Sequence, residues 1–152
     1  MIIDAHAHLW KKQQGKINGK DVFPVGDGKS NFGGEIRQMM PPYMTDGENT
    51  VERFIANMDY AGVSGAVITQ EYIDGNQDEY LLTCKSDRIK ICALYEEKPL
   101  GDISGFDGIK ICASRLKDKN LLNHIEPFRV ANENGKFISI DLEDGDEQTG
   151  MM

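Results

Sequence analysis

The chain has 152 residues and a mass of 17.0 kDa, the size of one domain able to bury its own core. Its net charge of −8 and pI near 4.8 weigh against a nucleic-acid or anionic-membrane surface, because phosphates attract clustered Lys and Arg. Three cysteines, Cys84, Cys92 and Cys112, without CxxC spacing suggest neither a disulfide framework nor a zinc knuckle.

In chain order, Ile2–His8 (IIDAHAH) reads as a first, mostly apolar strand. Residues 10–49 hold many glycines and three of the five prolines. They have no sustained period of 2 or 3.6, so they read as one long loop of lid or binding type. Val51, Phe54, Ile55 and Met58 fall at i, i+3, i+4 and i+7. They predict a helix capped by Asn49 or Thr50 and ended by Gly62. Gly65–Gln70 is a β-branched strand, 74–85 a weaker helix, and Arg88–Tyr95 and Phe106–Ala113 two further strands. A helix is expected over about 119–134, a fifth strand over Lys136–Leu142, and then an acidic tail. Strands alternating with helices, apolar on both faces, predict a parallel α/β sheet. The pentapeptide IKICA occurs at 89–93 and again at 109–113, which suits neighbouring strands in similar settings. Two of the cysteines sit in those apolar runs, so reduced, buried thiols and a reducing compartment, the cytoplasm, are expected. No stretch nears the ~20 apolar residues of a membrane span, and the start lacks the basic region of a signal peptide.

A strand alternates its side chains, so Asp4, His6 and His8 share one face while Ile3, Ala5 and Ala7 line the other. Two imidazoles then converge at the carboxyl end of the first strand, where α/β folds build their sites. Neutral imidazole ligates Zn, Mn, Fe or Ni. The residues alone leave two readings open: a metal pair, or histidines hydrogen-bonded at a strand end. Gly26–Ser30 superficially resembles a phosphate loop but lacks the GxxxxGK[ST] spacing.

IIDAHAHLW, a long loop, the segment TVERFIANMDYAGVSGAVITQ and the later DGIKI strand together resemble the amidohydrolase-related family, TIM-barrel metal-dependent hydrolases and decarboxylases that open on a D-x-H-x-H strand. The resemblance implies that His6 and His8 bind a divalent metal, zinc first and manganese as the alternative. It also implies a histidine at the end of strand five, another from strand six, and an acid/base aspartate after strand eight. This chain has Asp141 at the end of strand five, a carboxylate able to ligate a metal or contact substrate; a solvated strand end is the competing reading. Lys110, mid-strand between Ile109 and Ile111, cannot easily snorkel. It is a candidate for substrate contact or, as in some relatives, for carbamylation. Its twin Lys90 is expected at solvent on the bottom of the barrel. Arg115 is a candidate anion contact, and Trp10, with Phe23, Phe32 and Tyr43, a candidate apolar underside of the loop over a substrate. His124 is expected on a helix surface.

The expected fold is therefore α/β, a TIM-barrel-like (β/α)8 domain over 1–152, truncated after about five strands. A full barrel takes about 250 residues. Open edges at strands one and five lead to the expectation of a fragment, of self-association, or of a complementing C-terminal fragment. The expected activity is metal-dependent hydrolysis of an ester, lactone or amide of a small molecule. Non-oxidative decarboxylation and an inactive binding remnant are the alternatives.

Overall fold

The computed structural model describes residues 1–84 and 86–142. Its first strand, β1 (Ile3–His8), is followed by four strands packed into the stretch expected to be a loop: β2 (Gly15–Ile17), β3 (Lys20–Gly26), β4 (Lys29–Phe32) and β5 (Glu35–Gln38). Helix α1 (Val51–Ala61), β6 (Gly65–Thr69), α2 (Asp78–Leu81), β7 (Ile89–Leu94), β8 (Gly108–Cys112), α3 (Ile125–Glu133) and β9 (Phe137–Asp141) complete the order.

Five strands form one parallel sheet in the order β1-β6-β7-β8-β9. The sheet curls into a half-barrel with β1 and β9 at its edges. One face is covered by the helices. Ile68, Ile91, Ile109 and Ile111 meet Met58 of α1, Leu81 of α2 and Ala131 of α3 there. The other, concave face carries Lys110 and the histidine pair of β1. α1 starts where Thr50 accepts a hydrogen bond from Arg53 N–H and stops at Gly62, whose φ of 69° closes the helix in the left-handed region.

The long loop expected at 10–49 is instead largely an antiparallel meander, β2-β3-β4-β5. Its turns are two-residue hairpins. Asn18 and Gly19 join Ile17 to Lys20, and Asp27 and Gly28 join Gly26 to Lys29, all four with positive φ. Gly33 and Gly34 make the third turn. The phosphate-loop-like Gly26–Ser30 is thus a hairpin tip. The strands gave no clear period because Phe23, Val25 and Ile36 stay exposed while polar Ser30 is buried. The meander is tied to the segment after β6: Lys16 N–H donates to Tyr72 O at 2.8 Å and Gln14 N–H to Asp74 O at 3.2 Å. A Cβ at Gly15 would lie 2.1 Å from Tyr72 O, so the two backbones approach more closely than any other residue permits.

Two helices are shorter than expected. The helix read over 74–85 is reduced to α2, because Gly75 takes a φ of 78° and Gln77 uses its side chain on Asp74 O and Lys12 O. The helix read over 119–134 breaks into a 3-10 turn at Leu121–Asn123 and α3. His124, expected on a helix surface, is buried between them. Its Nδ1 lies 2.9 Å from the Tyr95 hydroxyl and its Nε2 3.0 Å from Asp118. Lys85 and the acidic tail with Glu143, Asp144, Asp146 and Glu147 lie outside the described residues. No helix among the described residues is long and apolar enough to cross a membrane.

All three cysteines are unpaired and buried. Burial pushes the Cys92 and Cys112 thiols up to about 12 and raises that of Cys84. A raised thiol pKa starves the reactive thiolate, to about one part in ten thousand at pH 8 for a pKa near 12. We expect a thiol-reactive dye at pH 8 to label the native chain at far less than one equivalent and the urea-unfolded chain at three. Prompt labelling of the native chain would contradict this burial.

Candidate functional site

The carboxyl end of β1 brings the two imidazoles together, tilted by 48°: His6 Nε2 and His8 Nε2 are 3.0 Å apart, with ring centroids at 4.9 Å. The far nitrogen of each ring faces a carboxylate. His6 Nδ1 is 3.9 Å from Asp141 Oδ1, and His8 Nδ1 is 3.3 Å from Asp74 Oδ2. Burial, with Lys110 and His8 adding to it, holds the His6 imidazole below its ordinary pKa, which keeps the ring neutral near pH 7.

Asp141 ends β9 and accepts a hydrogen bond from Lys110 Nζ on the neighbouring strand β8. Lys110 is fully buried, while Asp141 keeps 27% of its side-chain surface. An ammonium in that position requires a charged partner, because desolvation without one costs several kcal/mol. Register explains why its twin behaves otherwise. Lys110 lies level with Leu94, so Lys90 sits four residues lower on β7. There it is 62% exposed and pairs with Asp107 at 2.9 Å.

These groups open onto a cavity of about 500 Å³ lined by His6, His8, Trp10, Met40, Asp74 and Asp141 among others. The meander forms one wall through Met39 and Met40. Trp10 is buried and spends its indole N–H on Gly47 O at 2.8 Å, so the ring offers the cavity only apolar surface. Arg115 is not among the lining residues but touches one of them, its Nε 3.4 Å from Glu71 Oε1. Of the residues singled out from the sequence, the structure thus gathers His6, His8, Asp141 and Trp10 at the cavity, with Lys110 bonded to Asp141 and Arg115 to Glu71, while Phe23, Phe32 and Tyr43 are not among its lining residues.

Sequence reasoning missed the polar run after β6. Gln70, Glu71 and Asp74 follow the strand's carboxyl end, and that position, just past the mostly apolar strand GAVIT, was the available signal. Glu71, Cys112 and Asp141 each place a ligand atom within 4.8 Å of the others. Glu71 Oε1 is already engaged by Tyr72 N–H at 2.6 Å, and the Cys112 thiol donates to Gln70 O at 3.6 Å.

The histidine pair fits a divalent metal. Two nitrogens bound to one ion at about 2.0–2.1 Å lie roughly 3.0–3.4 Å apart, and the two Nε2 atoms meet that spacing without rebuilding the strand. Among the described residues the buried His8 Nδ1 has no hydrogen-bond partner of good geometry, yet it faces a carboxylate, as ligating histidines commonly do.

No family model matches the chain, and no curated protein does. A solved structure does match: a probable 2-pyrone-4,6-dicarboxylic acid hydrolase from Acinetobacter baumannii with citric acid bound. The TM-score is 0.58 and the identity 18%, over 91% of this chain and 48% of that one. The likeness is one of fold. The half-barrel shares that structure's architecture, and the chain spans about half the length of the protein it matches.

Proposed function

We propose that the concave face is the site of a metal-dependent hydrolase acting on an ester, lactone or amide of a small molecule, built on the (β/α)8 plan of the amidohydrolase-related proteins. The observation that carries this reading is the pair of Nε2 atoms 3.0 Å apart at the carboxyl end of β1, each ring backed by a carboxylate. His6 and His8 would hold the ion, with Asp141 the nearest further carboxylate. A divalent ion there supplies Lewis acidity toward a carbonyl or a water molecule.

The remaining roles belong to the chain's own groups. Asp141 takes a proton at its carboxylate, and Lys110 holds that carboxylate in place and balances its charge. Trp10 and the methionines of the meander give a substrate an apolar wall that limits water. The matched structure is named for hydrolysis of a 2-pyrone-4,6-dicarboxylic acid and holds citric acid, which makes small carboxylated esters and lactones the first substrates to test. The half-barrel's open edges at β1 and β9 suit completion by further strands, from a second copy or a complementing C-terminal segment.

The test is acid release in a pH-stat from a panel of lactones, esters and amides, with zinc or manganese supplied and then removed by chelator. Metal-dependent acid release without CO2 supports the reading. Loss of CO2 from a carboxylic acid would replace it with a decarboxylase, and turnover that survives full metal removal would overturn it.

A further inference from the structure

We propose that Asp74, held in place by Gln13 and Ser30, is a positioning residue that fixes His8 in its Nδ1–H tautomer and so aims the Nε2 lone pair into the cavity. The inference rests on the metal-site reading above for its purpose, though not for its geometry.

His8 Nδ1 is a buried atom with no well-aligned hydrogen bond among the described residues, and Asp74 Oδ2 lies 3.3 Å from it. An ionised carboxylate only accepts, so the nitrogen that faces it carries the proton. Asp74 is itself 2% exposed and its other oxygen is taken: Gln13 Nε2 donates to Oδ1 at 3.1 Å. Gln13 is equally buried, and its carbonyl accepts from the Ser30 hydroxyl at 2.6 Å. The amide of Gln13 gives this chain one direction, from the Ser30 hydroxyl through Gln13 to the carboxylate. Three buried polar residues from separate segments, β4, the link into β2 and the turn after β6, thus meet behind one imidazole. Backbone hydrogen bonds from Gln14 and Lys16 to Asp74 and Tyr72 hold the two segments together. The meander is therefore joined to the histidine pair by hydrogen bonds as well as forming the cavity wall.

The partner ring is set differently, because His6 Nδ1 lies 3.9 Å from Asp141 Oδ1, beyond hydrogen-bond reach. With His8 protonated at Nδ1, its Nε2 accepts, and the 3.0 Å contact of the metal-free pair is a hydrogen bond when His6 donates from Nε2. The metal-free pair is then made of opposite tautomers. A purely structural Asp74 would stabilise the turn after β6 without dictating which nitrogen of His8 bears hydrogen.

The experiment uses the metal-free full chain with 15N-labelled histidine at pH 8, read by long-range 15N–1H correlation. The expected result is Nδ1–H at His8 and Nε2–H at His6. In Asp74→Asn the direction of the chain turns the new amide NH2 toward His8 Nδ1, so His8 is expected to switch to Nε2–H. Zn2+ affinity by chelator competition should fall by about 10–100-fold, the range seen when a carboxylate behind a ligating histidine is lost. Nε2–H at His8 in the unaltered chain, or Nδ1–H retained in Asp74→Asn, overturns the proposal. If Asp74→Asn does not fold, the spectrum of the unaltered chain decides. If that chain shows the expected tautomers but binds no Zn2+, the metal reading fails and the tautomer assignment stands.

Discussion

Replacing His6 and His8 with alanine should abolish stoichiometric divalent metal while leaving the half-barrel folded. His6 and His8 keep 46% and 27% of their side-chain surface and lie on the concave face, away from the apolar core under the helices. Truncating them therefore opens no core cavity, and surface or half-exposed truncations of this kind usually change stability by about 0.5 kcal/mol or less. Metal affinity should respond very differently. In the proposed site each imidazole is one of few direct ligands, so losing either should weaken binding by more than the roughly 10–100-fold expected for a residue that only orients a ligand. Elemental analysis of purified chain and chelator competition with Zn2+ are the measurements. An unaltered chain without near-stoichiometric metal, or a double variant that retains as much, would contradict the site. Far-ultraviolet circular dichroism and a urea titration separate loss of ligands from loss of fold.

The second large effect belongs to the pair on β8 and β9. Asp141→Ala strands the fully buried ammonium of Lys110, and breaking a buried pair from one side costs roughly 3–5 kcal/mol. Lys110→Met should cost less, because Asp141 keeps 27% of its surface and can be hydrated. The double variant Lys110→Met/Asp141→Leu removes both charges and replaces them with apolar bulk. It should recover most of the loss, since exchanging a buried ion pair for hydrophobic residues is often neutral or stabilising. Urea unfolding of the three variants gives the cycle. Equal small losses for both single variants, with no recovery in the double, would mean that Lys110 is solvated. The activity expected for Asp141 should vanish in both variants that lack its carboxylate, including the stable double, so stability and function separate cleanly.

Much of the fold was legible from residue patterns. Five strands, the α1 helix with its Thr50 and Gly62 boundaries, and the convergence of His6 with His8 all follow from periods of 2 and 3.6, which are local properties of the chain. The meander was legible too, but in its turns rather than its strands. Asn-Gly, Asp-Gly and Gly-Gly each separate short segments and are strong hairpin signals. The strands between them carry a proline, several charges and apolar residues left at the surface. A half-covered sheet of that kind has no clean alternation, so reading for hydrophobic period alone passes over it.

What lay beyond the local pattern is best seen in the two copies of IKICA. Their sequences are identical, and nothing within either distinguishes Lys90 from Lys110. The offset of β7 against β8 does so. It lowers Lys90 to the rim beside Asp107 and lifts Lys110 into the interior, opposite the strand that ends in Asp141. Asp74, Gln13 and Ser30 come from distant points of the chain. They meet only because a glycine without a side chain lets the start of the meander lie against the turn after β6. The paired histidines at the end of β1 can be read from seven residues, because strand geometry alone places them on one face. Their carboxylate partners could not be, because register and the packing of one backbone against another decide which distant side chains reach the same cavity.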